Sequence, residues 1–147
     1  MSNANTARDN SPAWDAFISY SSADADAATR LQRFLERYRL PGGRRLKVYR
    51  DETDIVGGEL PKQLRQALAD SGILLVCCSA AASESDWVCR EIEAYRAQSP
   101  DGVILPVLVE GQLPAILPPP LREHELRWAD LRSGWRWGWP LGATRYG

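Results

Sequence analysis

The sequence has one histidine, one methionine and two phenylalanines, and its formal net charge is only −1. The lone histidine, His124, has no companion ligands in sequence, so no metal site is expected. Near-balanced charge leaves no basic surplus for nucleic acid or for an anionic membrane. No apolar run approaches the roughly 20 residues that a membrane-spanning helix needs. The opening residues, MSNANTARDNSP, are polar and lack the apolar stretch of a secretory leader. Three cysteines, Cys77, Cys78 and Cys89, have no framework spacing, and two of them adjoin inside an apolar run as small core residues would. These absences together predict a cytoplasmic protein without a disulfide scaffold. A phosphate-cradling loop of the G-x-x-x-x-G-K-[ST] kind is also missing.

What is present is a chain of 147 residues, enough for one domain with a single core. Residues 1–12 read as a flexible tail. Trp14–Tyr20 (WDAFISY) is short, aromatic and β-branched, and reads as a buried strand. Ser21 and Ser22 offer helix caps. From Ala23 to Leu40 the apolar residues recur at helical spacing, until Pro41-Gly42-Gly43 stops them. Leu46–Tyr49 is a second strand, followed by the charged loop Arg50–Glu59 with Gly57 and Gly58. Leu60–Asp70 is helical by pattern, with Pro61 tolerated in the first turn. Gly72–Ser79 (GILLVCCS) is a continuous apolar run, as in the middle of a parallel sheet. Ser83, Ser85 and Asp86 can cap a helix carrying Trp87, Glu91 and Tyr95. Val103–Val109 is a fourth strand, in which Pro106 predicts a bulge or an irregular edge. Gly111–Pro120 is too proline-rich for a regular helix, and Glu125–Leu131 offers a short fifth strand. Trp135, Trp137 and Trp139 crowd the last residues, 132–147.

Strands alternating with helices predict an α/β domain: a flavodoxin-like three-layer sandwich around a five-stranded parallel sheet. In such sheets ligands sit beyond the carboxyl ends of the strands, where strand order reverses. Ser19–Ser22, Asp51–Gly58 and Ser79–Trp87 would meet there. Trp87 and Glu91 lie four residues apart, hence on one face of a helix. A carboxylate beside an aromatic face suits a planar cationic ligand. Each residue also has a plainer reading: Glu91 as a solvated helix glutamate, Trp87 as packing, Asp51 as a loop cap, Gly57-Gly58 as a turn.

WDAFISYSSAD, VYRDETDIVGGELPKQL and LLVCCSAAASESDWVCREI, in that order, resemble the TIR (Toll/interleukin-1 receptor) domain of the bacterial kind over residues 13–131. The family carries a D-x-F-I-S-Y strand, a loop with Asp51 and Gly58 in the usual places, and an S-x-W-x-x-x-E helix start. The resemblance implies one of two activities. Some members cleave the nicotinamide–ribose bond of NAD+, giving ADP-ribose or a cyclic form, and carry a glutamate matching Glu91 and a tryptophan matching Trp87. Others are adaptors acting through TIR–TIR association and generally lack that glutamate. Both residues are kept here, which favours the enzyme, with NAD+ as substrate and no cofactor.

On that resemblance Glu91 is the catalytic residue, stabilising a ribosyl cation from a wet cleft. Trp87 stacks on the nicotinamide side, Phe17, Ser19 and Tyr20 line the pocket, and Asp51, Gly57 and Gly58 belong to a loop that self-association reshapes. Ser21 and Ser22 stand where some catalytic relatives have basic residues, so contacts from that loop would be hydroxyl or backbone in type. Bacterial members commonly belong to anti-phage or signalling systems. A phosphoacceptor domain, which shares the topology, is excluded by Ser79 where its aspartate would stand.

Overall fold

The computed structural model describes residues 12–51, 59–122 and 127–132, and the backbone of 143–145. The elements follow in the order β1 (Trp14–Ser19), α1 (Ala25–Arg37), β2 (Val48–Arg50), α2 (Lys62–Ala69), β3 (Ser71–Cys78), the single turn α3 (Ala80–Ser83), α4 (Asp86–Gln98), β4 (Val103–Leu108), β5 (Arg127–Asp130) and β6 (Ala143–Arg145). One sheet joins the strands in the order β2-β1-β3-β4-β5-β6. The first five are mutually parallel, as expected, and strand order reverses between β1 and β3. β6 adds an antiparallel border pairing Trp128 with Thr144. It falls within the tryptophan-rich end, where three residues of weak pattern, Ala-Thr-Arg, gave no strand signal.

Side-chain alternation along the strands sets the layers. Ala16 and Ile18 of β1, with Leu75 and Cys77 of β3, pack against Ala28 and Leu31 of α1. Phe17, with Leu74, Val76 and Cys78, faces Leu64 and Leu68 of α2 and Val88, Ile92 and Tyr95 of α4. The two thiols of Cys77 and Cys78 therefore enter opposite cores, and burial pushes the Cys78 thiol up to about 12. A run apolar on both faces is what a central parallel strand requires, as the GILLVCC stretch predicts.

Local chemistry fixes the ends of the elements. Ser21 accepts a hydrogen bond from the Ala23 amide and starts a 3-10 turn, Ser22–Asp24, that precedes α1. α1 stops at Arg37, three residues before the expected end, because Arg39 pairs with Arg45 across a tight antiparallel turn. Gly42 and Gly43 make that turn at positive φ. Asp15 holds its far side: the Arg44 guanidinium grips both carboxylate oxygens, at 2.8 and 3.1 Å, and keeps the carboxyl below its ordinary pKa. Ser85 caps α4 by accepting from the Val88 amide at 3.2 Å.

Pro106 makes no bulge. It keeps register with Val76 in an unbroken β3–β4 ladder. The Leu131 amide donates to the Leu108 carbonyl, so β4 backbone groups at even positions face β5. Pro106 thus turns its missing donor towards β5, just before that ladder begins at Val107.

On the other border, the Lys47 carbonyl accepts from β1, so by alternation the Val48 carbonyl faces outward. There the Gln32 side chain of α1 covers it, donating at 3.3 Å. Among the described residues, no helix is long and apolar enough to cross a membrane.

After β4 the chain reverses at Gly111, whose φ is +94°, with Ile116 packed where a Cβ would stand. Gly111→Ala should therefore cost about 2–3 kcal/mol, by backbone strain and by displacing buried Ile116. A melting temperature unchanged by the substitution would show that the turn relaxes freely.

Candidate functional site

A cleft of about 510 Å³ opens beyond the carboxyl ends of β1 and β2. Tyr20, Ser21 and Ser22 line it from the segment after β1, and Arg50 and Asp51 from the end of β2. Ala25 and Thr29 contribute from the first turns of α1, and Ser85, Trp87 and Glu91 from α4 and its cap. The helical spacing of Trp87 and Glu91 brings both to the same wall.

Glu91 forms the floor. Its side chain is only 2% exposed, and the Ser19 hydroxyl donates to its Oε1 at 2.8 Å. Burial pushes the carboxyl up to about 8, against the opposing Ser19 hydrogen bond, and the Asp51 charge adds to the rise. The expectation of a wet, solvated carboxylate is thereby corrected. α4 lies against the sheet, anchored by Val88, Ile92 and Tyr95, and that packing draws Glu91 down onto β1. The reading of Glu91 as a solvated surface glutamate is removed by the same burial.

The other anticipated residues divide. Tyr20, Ser21, Asp51 and Trp87 stand in the cleft wall. Trp87 also packs against the α2–α4 core, so its two readings coexist. Phe17 does not line the cleft. It is fully buried and stacks on Tyr49 at a centroid distance of 5.1 Å, because strand alternation turns it under α2 and α4. Ser19 is fully buried as well; it touches Glu91 and acts by holding that carboxyl. Gly57 and Gly58 lie outside the described residues.

Four wall residues lay outside the sequence reading of the site, Ile18, Ala25, Thr29 and Arg50, while Ser85 fell within the segment Ser79–Trp87 expected there. Thr29 and Ala25 share a face of α1, and Ser85 is also the expected cap of α4. Arg50 ends β2 directly before Asp51, and the end of a strand at a switch point was the signal available for it.

A second buried acid lies nearby. Asp24 accepts from the Ser79 hydroxyl at 2.5 Å, and burial lifts its carboxyl above the ordinary range, helped by the Glu110 charge. It joins the segments after β1 and β3 and is not part of the cleft wall.

A doubly wound sheet with a carboxyl-floored cleft at its switch point, the place where sheets of this kind take ligands, defines the class as α/β. The family model described as TIR domain matches residues 16–141, most of the chain, and the protein belongs to that family. Among solved structures, the chain is similar to the TIR domains of the activated Roq1 resistosome directly recognizing the pathogen effector XopQ. Identity is 16% and the TM-score 0.48, over 66% of this chain and 58% of that chain. The chain thus spans less than two thirds of that structure's length. No curated protein matches it.

Proposed function

We propose that this TIR domain is an NAD+ glycohydrolase that breaks the nicotinamide–ribose bond. The observation carrying this reading is Glu91 sunk in the cleft floor beside Trp87, with Ser19 fixing its orientation. A carboxyl that costs energy to ionise in the free protein is worth most when a cation arrives beside it. NAD+ brings such a charge in its nicotinamide ring. As the C1′–N bond breaks, its electron pair neutralises the ring nitrogen, and positive charge moves to the ribose, as in glycoside hydrolysis. The Glu91 carboxylate stabilises that charge. Water then attacks C1′, giving ADP-ribose and a proton that the carboxylate can take. Trp87 supplies a flat wall for the departing ring. Homotypic TIR–TIR association is the proposed switch, in a signalling or defence role.

The test is nicotinamide release from NAD+ by the full chain, dilute and at concentrations that drive assembly. Release above the spontaneous rate supports the reading. None in either state returns the protein to a non-catalytic adaptor. The raised carboxyl predicts a pH profile too. kcat/KM should climb about tenfold per pH unit below about 8 and level off above it, since only the ionised form serves. A profile flat from pH 6 to 9 would separate Glu91 from the chemistry.

A further inference from the structure

We infer that Arg50 is the specificity residue that seats the substrate's phosphates, so the cleft selects pyridine nucleotides over the phosphate-free nucleoside. The inference rests on the glycohydrolase reading and says which part of the substrate goes where. Among the described residues lining the cleft, Arg50 is the one cation. Its guanidinium is built into place. Nε donates to Gln32 Oε1 at 2.8 Å, and the group lies 5.8 Å from the Tyr20 ring centroid, at the range of a cation–π contact. Gln32 is itself fixed by its bond to the Val48 carbonyl.

Alternation at the end of β2 divides the charges of the cleft. Arg50 turns towards α1, where Gln32 sits and where Thr29, Ala25, Ser21 and Ser22 complete the wall. Asp51, the next residue, turns the other way, and its charge is felt by Tyr49 and Glu91. One end of the cleft is therefore acidic and aromatic, the other cationic and rich in hydroxyls. A pyridine dinucleotide carries the matching pattern, a cationic ring joined through ribose to an anionic diphosphate. A guanidinium pre-aimed by Gln32 and Tyr20 loses little freedom on binding phosphate. This cation comes from β2, and it fills the need left by Ser21 and Ser22, which carry no charge.

The test compares cleavage of NAD+ and of nicotinamide riboside, which has the same scissile bond and no phosphate. Binding of ADP-ribose is followed in parallel. For Arg50→Gln, kcat/KM on NAD+ should fall roughly ten- to a hundredfold. Most of that loss should lie in KM, and the preference for NAD+ over the riboside should fall by a similar factor. Arg50→Lys, which keeps charge without the fork, should recover part of the preference, and Gln32→Ala should lose part of it. A merely structural role would lower both substrates together and leave their ratio alone, and that outcome overturns the inference while the glycohydrolase reading stands. Wild-type protein that cleaves neither substrate and holds no ADP-ribose overturns both.

Discussion

Glu91→Gln should cut nicotinamide release from NAD+ by about 10²–10³-fold while the domain stays folded. Glutamine keeps the volume of the side chain and its oxygen, so the Ser19 hydroxyl retains a partner at the same place. What it removes is the ability to become negative when the ribose becomes positive. Loss of rate should therefore fall in kcat, because the charge it answers exists fully only in the transition state. Alanine is the poorer probe, since it hollows out a site that is 2% exposed and mixes packing with chemistry. Stopped-flow or discontinuous detection of nicotinamide would read the effect directly. A Glu91→Gln protein that turns over NAD+ at the wild-type rate would transfer the chemistry to some other group.

The same substitution should make the protein more stable in alkali, with a definite sign and window. Glu91 has its folded-state pKa raised from 4.5 to about 8. A group raised in this way binds its proton more tightly when folded. Its contribution is complete below 4.5 and is lost as pH climbs to about 8. The loss is on the order of 5 kcal/mol, a large part of a domain's whole stability. Asp24 shifts in the same direction, while Asp15 and Asp130, held by Arg44 and Arg132, shift in the opposite one. Glu91→Gln leaves those groups in place, so the difference between the two proteins isolates one carboxyl. Urea unfolding should give nearly equal free energies at pH 4.5 and a variant more stable than wild type at pH 8 and above. Parallel curves across that range would mean that Glu91 is hydrated in solution.

The stronger demand on the protein is that these two results occur together. A residue that harms stability at the pH where it works is held there against the preference of the fold. Loss of rate and gain of stability in one variant is the signature of such a site.

Much of this arrangement was legible in the chain. The apolar run ending in Cys77-Cys78 reads as a central parallel strand because both of its faces are buried. The four-residue step from Trp87 to Glu91 places the two on one wall by helix geometry alone. Depth was not legible, because spacing tells which face a side chain occupies and says nothing of what packs over it. Glu91 reads equally well as wet or buried until α4 is seen against β1. Phe17 was misplaced for a related reason: neighbours along a strand point to opposite cores, and a motif that includes both does not say which one meets the ligand. Arg50 was passed over because one arginine in a charged loop has no pattern of its own. Its meaning comes from Gln32, eighteen positions away in sequence.

Gln32 spends one end of its amide on Arg50 and the other on the outward carbonyl of Val48. A bare acceptor on a border strand is a foothold for the backbone of a neighbouring molecule, and covering it discourages accretion of one chain upon the next. Cover of that border carbonyl and the aim of a guanidinium are thus vested in a single side chain. A glutamate at position 32 would keep the acceptor for Arg50 and forfeit the donor to Val48, a lysine the reverse, so a side chain with both a donor and an acceptor is what serves both ends.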